Sequence, residues 1–97
     1  MFTSKQRSNL KAIAQNLEPI AQVGKNGITD NMIESLSQAL EARELVKISV
    51  LQNAEDMPNF IASELAEKLN AEVVCVIGKK IVLYRESQKS WIKHIEF

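Results

Sequence analysis

Apolar residues recur at helical spacing in three segments of the chain, and the first of these begins close to the N-terminus. This helix is predicted to start at Thr3 or Ser4, because Thr3 and Gln6 have the spacing of a capping box. Pro19 prevents it from continuing. Residues at positions i, i+3, i+4 and i+7 form its predicted buried stripe: Leu10, Ile13, Ala14 and Leu17.

The second and third helices also begin at residues that suit a helix N-terminus. Thr29 is a favourable N-cap, and Asp30 after it interacts well with the helix dipole. Pro58 suits the first turn of the third helix, where its missing N–H does no harm. The predicted buried faces consist of Ile33, Leu36 and Leu40 in the second helix, and Ile61, Leu65 and Leu69 in the third.

Four short apolar segments have the composition of β-strands. Residues 20–23 are short and apolar, and "LVKISVL" (45–51) alternates apolar and polar positions as a half-buried strand does. In "EVVCVIGKKIVLYRES", Gly78-Lys79 separates two β-branched runs, which is typical of a type II′ hairpin. Strand–helix–strand connections favour parallel pairing, whereas a hairpin is antiparallel. The sequence therefore predicts an α/β fold of order α-β-α-β-α-β-β, with helices packed against a four-stranded mixed sheet.

Two of the three glycines of the chain, Gly24 and Gly27, lie just before the second helix. One interpretation is a tight turn, in which Asn26 tolerates a left-handed conformation. The other is an anion site, since a glycine loop at a helix N-terminus offers backbone N–H groups beside the positive end of the helix dipole. Lys25 would add a mobile charge, and the four residues 24–27 would clamp a nucleic-acid backbone as the GXXG loop of a KH domain does. Both interpretations stay open.

Composition limits the class of protein. Ninety-seven residues suit one domain, and the apolar and charged fractions of 45% and 25% are those of an ordinary globular protein. The longest apolar run covers residues 73–77, far less than a membrane span needs. The N-terminal segment lacks the layout of a secretory signal. Together with a single cysteine, Cys75, these features predict a cytoplasmic protein without a membrane partner.

Charge is unevenly distributed although the formal net charge is zero. Residues 1–29 and residues 73–97 each carry a net charge of +3, and residues 30–72 carry −6. If the fold brings the two ends of the chain together, the protein gains a basic face and an acidic face. The acidic middle is then expected to lie away from a bound polyanion.

Catalysis finds little support in the sequence. His94 is the only histidine and has no evident nucleophile or orienting partner, and Cys75 lies between valines in a predicted strand. One Cys and one His do not make a metal-ligand set. We expect no catalytic residue, no metal and no cofactor.

Three blocks of the chain resemble successive parts of the CRM domain, which is named for chloroplast RNA splicing and ribosome maturation. The blocks are "LEPIAQVGKNGIT", "ALEARELVKISV" and "VIGKKIVLYR", and the single-domain bacterial members of the family are the YhbY-like proteins. The resemblance implies an RNA-binding domain similar to the C-terminal domain of bacterial translation initiation factor three. It also implies association with precursors of the large ribosomal subunit, and it places the RNA-contacting loop on residues 24–27.

The sequence thus predicts a non-enzymatic RNA-binding domain over residues 1–87 and a tail over residues 88–97. The alternative is a protein-interaction module in which the glycine loop is only a turn and the partner docks on the acidic middle or the apolar tail. Aromatic residues are scarce, which favours recognition of RNA backbone and shape over base stacking. The predicted RNA contacts are Gly24, Lys25, Asn26 and Gly27 in the loop and Lys5, Arg7, Lys11, Lys47, Lys79, Lys80 and Arg85 around it.

Overall fold

The computed structural model describes residues 2–97, and its elements follow the predicted order. They are α1 (Ser4–Ala14), β1 (Ala21–Val23), α2 (Asp30–Arg43), β2 (Leu45–Val50), α3 (Pro58–Leu69), β3 (Glu72–Ile77) and β4 (Lys80–Tyr84). The predicted α/β class and the four-stranded mixed sheet are confirmed. None of the helices within residues 2–97 is long and apolar enough to cross a bilayer.

Each helix begins at a residue that suits a helix N-terminus. The Thr3 hydroxyl accepts a hydrogen bond from the Gln6 N–H, and the Gln6 side chain accepts one from the Thr3 N–H, so the predicted capping box is present. The Thr29 hydroxyl accepts from the Met32 N–H at the start of α2. Pro58 occupies the first turn of α3. The threonine and glutamine side chains satisfy N–H groups that have no partner within their helices, whereas Pro58 has no N–H to satisfy.

The strands lie in the order β1-β2-β4-β3. β1 pairs with β2 in parallel, and β4 pairs antiparallel with both β2 and β3. At the β3–β4 turn, Gly78 has a φ of +57°, and Lys79 is not among the described residues with positive φ. These signs agree with the predicted type II′ turn.

Helices cover both faces of the sheet, so the fold has three layers. On one face, α2 and α3 form the larger core with alternate strand residues such as Ile48 and Ile81. On the other face, α1 buries Leu10 and Ala14 against Leu45 and Val82. β2 is therefore buried on both sides, and the prediction that it is half-buried was wrong. Its second face is also covered because α1 packs there.

The C-terminal segment folds back on the sheet of its own chain. Phe97 packs edge-to-face against Phe2 and Tyr84, with ring centroids 5.5 and 5.1 Å apart. Ile95 joins the same cluster, whereas Trp91 is 76% exposed.

The N–H groups of Ser87 and Gln88 both donate to glutamates near the end of α2, so these bonds span the predicted boundary at residue 87. That boundary stays a prediction.

Candidate nucleic-acid interface

Three connections meet at one end of the sheet, which we call the loop end. They are the β1–α2 connection with the GKNG loop (residues 24–27), the start of the β2–α3 connection and the β3–β4 turn. The Leu51 N–H donates to the Val23 carbonyl at 2.8 Å, and the Val50 N–H donates to the Lys79 carbonyl at 2.7 Å. The last residue of β2 thus bonds to the hairpin turn, and the residue after it bonds to the end of β1, next to the GKNG loop. Lys25, Lys79 and Lys80 share this end.

The GKNG loop is a β-turn with its two polar residues at the tip. The Gly27 N–H donates to the Gly24 carbonyl at 3.0 Å, while Lys25 and Asn26 are exposed. Gly27 has a φ of +66°, whereas Asn26 is not among the described residues with positive φ. The expectation that Asn26 takes the left-handed conformation was therefore wrong. Glycine follows the tip because it adopts positive φ without a steric cost.

The surroundings of the two glycines differ. A Cβ at Gly24 would lie 3.2 Å from the Asn53 Oδ1 atom and 3.3 Å from the Leu51 Cδ1 atom, so this glycine allows the β2–α3 connection to pack closely. A Cβ at Gly27 would meet nothing within 4 Å. The side of Gly27 on which a Cβ would project is thus open, whereas its N–H is already used within the turn.

Acidic side chains lie beside the GKNG loop, which corrects the expectation that the acidic middle would lie away from it. A cavity of about 240 Å³ is bounded by the loop and by Glu55, Asp56 and Glu64. The β2–α3 connection and α3 bring these carboxylates there, because β1 and β2 are adjacent and parallel. Carboxylates repel phosphate, so they disfavour a polyanion in this cavity, which Lys25 also borders.

Lysines from three elements gather on the sheet face that α1 only partly covers. They surround a small hollow, which we call the sheet-face depression, and Lys80 also donates to the Ser49 hydroxyl at 3.0 Å. Lys47 lies 3.5 Å from the carbonyls of Ala14 and Leu17. The rim and wall of the depression include Lys11, Gln15, Lys47, Cys75, Ile77 and Lys80.

Arg7 is half-buried and bound to the sheet, although the sequence favoured it as an exposed RNA contact. Its Nη1 donates to the carbonyls of Val73 and Val74 at 2.5 and 2.7 Å. The register of β3 shifts between Val73 and Cys75, and this bulge allows one guanidinium to reach two consecutive carbonyls. Arg7 thus attaches α1 to the edge strand, and the donors of its Nη1 are used within the fold.

Arg85 is likewise engaged inside the protein. Its guanidinium donates to the carbonyl of Leu69 at 2.8 Å and to the carbonyl and hydroxyl of Ser37 at 2.9 and 3.0 Å. It also pairs with Glu41 at 3.3 Å. These partners occupy most of its donors, so the structure gives this predicted RNA contact a structural role.

Lys5 and Lys11 remain exposed on α1. They are six positions apart, which corresponds to about 9 Å along a helix axis. Lys11 reaches the rim of the sheet-face depression, whereas Lys5 lies towards the other end of α1. The predicted basic contacts that share the loop end or the adjoining sheet face are therefore Lys11, Lys25, Lys47, Lys79 and Lys80.

A buried carboxylate that was not predicted from the sequence belongs to Glu44, which ends α2 in a left-handed conformation with a φ of 67°. Its side chain is fully buried and accepts hydrogen bonds from the N–H groups of Ser87 and Ile95 at 2.7 and 2.8 Å. His94 Nδ1 lies 2.5 Å from the same carboxylate, so His94 does have an orienting partner. In the sequence this glutamate looks like an ordinary surface residue of a charged helix.

The two charges of this pair shift each other's pKa. The hydrogen bond to Glu44 raises the pKa of His94, against a smaller effect of burial. Burial alone would raise the pKa of Glu44, but the bonds from His94, Ser87 and Ile95 outweigh it and lower that pKa. The pair attaches the tail to α2 and contains no nucleophile.

Within residues 2–97, no three His, Cys, Asp or Glu side chains are placed to hold a metal ion.

The fold and the site define a small three-layer α/β domain with lysines around a glycine turn at one end of its sheet. A model of the CRS1 / YhbY (CRM) domain matches residues 2–85. The chain belongs to this family, as its sequence blocks indicated.

Relatives match almost the full length of the chain. "Probable RNA-binding protein YqeI" of Bacillus subtilis is 49% identical over 96 residues, which is 99% of this chain and 98% of that protein. A Haemophilus influenzae protein named "RNA-binding protein" is 31% identical over 92 residues, or 95% and 93% of the two chains. The solution structure of SAV1595 from Staphylococcus aureus is similar with a TM-score of 0.77 and 47% identity, covering 93% and 94% of the two chains.

Proposed function

We propose that this protein binds structured RNA, and that its target is ribosomal RNA in precursors of the large ribosomal subunit, whose assembly it assists in the cytoplasm. The observation that carries the proposal is the convergence of the GKNG loop and the hairpin lysines at the loop end of the sheet. Family membership and the names of the relatives support RNA as the ligand. The ribosomal target rests on the family resemblance alone.

The mechanism uses backbone and charge rather than base stacking. The exposed tip of the GKNG loop places Lys25 against a phosphate, and Lys79 and Lys80 of the hairpin hold neighbouring phosphates. Each such contact releases counterions, so affinity falls as salt rises. Glu55, Asp56 and Glu64 border the same cavity as Lys25 and weaken the attraction of phosphate there.

Replacing Lys25 with glutamine is expected to weaken binding to structured ribosomal RNA several-fold at physiological salt. The slope of log affinity against log salt should fall in magnitude by about 0.7 to 0.9, the value expected when one phosphate is no longer neutralised. The measurement is a binding titration over a salt series. Lys68→Gln is the matched control, because Lys68 is an exposed lysine in the last turn of α3, away from the loop end where that helix begins. An unchanged slope for Lys25→Gln would remove the loop from the mechanism.

The ribosomal target needs its own experiment. The protein should sediment with precursors of the large subunit at moderate salt, and nuclease treatment should release it. Crosslinking in cells should then map to ribosomal RNA. Crosslinks confined to other RNAs would contradict the target while leaving RNA binding intact.

Neutralising Glu55 and Asp56 together, as Glu55→Gln with Asp56→Asn, is expected to raise RNA affinity about three- to tenfold at low salt. Both carboxylates line the cavity beside the GKNG loop, and removing them removes repulsion of phosphate. The gain should disappear at high salt, where exposed charges are screened. Glu67→Gln on α3 serves as the single-charge control. A gain that persists at high salt would point to a cause other than charge.

A second candidate is the protein-interaction module. The side chains of Met57 and Phe60 at the start of α3 are 74% and 59% exposed, and Glu64 and Glu67 lie beside Phe60. Such an apolar and acidic surface suits a basic protein partner. This candidate predicts that association with ribosomal particles survives nuclease treatment and is abolished by Phe60→Ser.

A further inference from the structure

The sheet-face depression is a separate feature from the GKNG loop. It has a volume of about 110 Å³, and α1, β2, β3 and β4 all contribute to its wall. α1 ends at Ala14, so the sheet beyond that point lacks a helix on this face. The hollow is the place where the helix layer stops and the strands are left partly open.

The floor and one side of the depression are apolar. Ala14 and Val82 are almost fully buried beneath it, Cys75 is half-buried, and Ile77 is 53% exposed at its edge. A lone exposed isoleucine needs no explanation, but here it continues an apolar surface that leads into a hollow. Apolar side chains of this kind can cover the face of a flat ring.

The rim of the depression is basic. Lys11, Lys47 and Lys80 come from three different elements, and no acidic side chain within residues 2–97 lines the hollow. The field of the cations reaches its interior. Burial raises the pKa of the Cys75 thiol, and Lys11 and Lys47 are the largest of the charges that oppose this rise. An apolar hollow within a ring of amines suits a ligand that is apolar in the middle and anionic on both sides.

We propose that the sheet-face depression receives the base of one unpaired nucleotide in the bound RNA, while Lys11, Lys47 and Lys80 hold the flanking phosphates. This inference rests on the proposed function and deepens it by naming the class of RNA, a stem interrupted by a bulged nucleotide. A paired base cannot enter, because its edge and both faces are covered in the duplex. Gln15 at the rim provides an amide donor and acceptor for the edge of the base.

The sheet-face depression can hold a base without aromatic side chains, which are scarce in this protein. A stacking platform needs exposed rings, but an inserted base can also be held between aliphatic and sulfur-containing side chains. The hollow is far below the several hundred Å³ of a drug-sized ligand site, so it has room for a single ring system. The cavity beside the GKNG loop is larger but acidic, and it does not suit a nucleotide.

The experiment compares two RNA hairpins that are identical except for one unpaired nucleotide within the stem of the second. We expect the unmodified protein to bind the bulged hairpin about tenfold more tightly than the paired one. Filling the hollow by Cys75→Leu should remove this preference and leave the affinity for the paired hairpin unchanged. Cys75→Ser is the matched control, because it alters the thiol without filling the hollow.

A second measurement does not depend on any variant folding. Cys75 is the only cysteine, so a thiol-specific alkylating reagent reports on the depression alone. The bulged hairpin at saturation should slow alkylation of Cys75 at least fivefold, and the paired hairpin at saturation should not.

The outcomes separate this inference from the proposed function. Equal binding of both hairpins, or equal alkylation rates in their presence, would overturn the inference and leave RNA binding standing. A preference for the bulge that survives Cys75→Leu would also overturn it, since the nucleotide would then lie elsewhere. Failure of the protein to bind either hairpin would overturn both.

Discussion

Replacing Glu44 with alanine is expected to lower the free energy of unfolding by about 3 kcal/mol, the largest effect of a single glutamate substitution in this chain. The fully buried carboxylate accepts from the N–H groups of Ser87 and Ile95 and pairs with His94. Without it, two backbone donors lose their acceptor. The measurement is urea unfolding at neutral pH, together with hydrogen exchange at the Ile95 amide, which should lose its protection.

The backbone at Glu44 allows the side-chain contribution to be isolated. Its φ of 67° is unfavourable for glutamate and alanine alike, so Glu44→Ala reports the removal of the carboxylate. Glu44→Gly also removes the carboxylate but adopts this conformation freely, and it should be about 1 kcal/mol more stable than the alanine variant. A glycine variant as stable as the unmodified protein would show that the carboxylate contributes little.

The same pair gives stability a defined pH dependence. Since the folded state raises the pKa of His94, this contribution is complete below the ordinary histidine value of 6.5 and is lost as pH rises through the raised pKa. Since it lowers the pKa of Glu44, that contribution is present above the ordinary value of 4.5 and is lost as pH falls through the lowered pKa. Tail attachment should therefore be strongest at pH values between these two ordinary values. His94→Asn should abolish the loss on the alkaline side, and it should also move the acid-side loss to higher pH, because the bond from His94 is the first of the groups that lower the pKa of Glu44.

Features that depend on neighbouring residues were predictable from the sequence. The capping box at Thr3, the N-cap at Thr29 and the proline start of α3 are all present as expected. Each depends on side chains within a few residues of one another, so a short segment contains all the information. The hairpin turn belongs to the same class, because its glycine determines the backbone locally.

Features that depend on distant residues were not predictable. The placement of β4 between β2 and β3 follows from packing of the whole sheet, and no local pattern encodes it. That placement brings Lys80 beside Ser49 and creates the sheet-face depression. Likewise, the parallel pairing of β1 with β2 brings acidic residues of the β2–α3 connection to the GKNG loop, although the charge distribution along the chain suggested separation.

The roles of the two arginines in the candidate site also depend on distant residues and were not predictable from the sequence. A sequence shows that an arginine is charged, but not whether carbonyl groups from elsewhere in the fold surround it. Arg7 meets two carbonyls at the bulge of β3, and Arg85 meets carbonyls of two helices. Lys25 and Lys79, at the tips of the GKNG loop and the hairpin, are exposed, and neither side chain donates a hydrogen bond within residues 2–97, so their charges are not used within the fold.

Replacing Arg85 with methionine is expected to lower the free energy of unfolding by about 3 kcal/mol while leaving the salt dependence of RNA binding unchanged. Methionine keeps the apolar part of the side chain, so the change isolates the guanidinium. The carbonyls of Leu69 and Ser37 then lose charged donors, and each such loss costs about 1.5 to 3 kcal/mol, offset in part by solvent because Arg85 is 18% exposed. Urea unfolding and a salt titration with structured RNA measure the two quantities.

The combination of the two results decides between a structural arginine and an RNA contact. Arg85 Nε is itself buried and without a partner in the described part of the chain, which places the guanidinium inside the fold and away from a phosphate. Lys89→Met provides the control, because Lys89 is an exposed cation of the tail and its replacement should leave stability nearly unchanged. If Arg85→Met instead kept full stability and reduced the salt slope by about 0.7 to 0.9, Arg85 would return to the RNA-binding surface, since a change of that size means that the guanidinium had neutralised a phosphate.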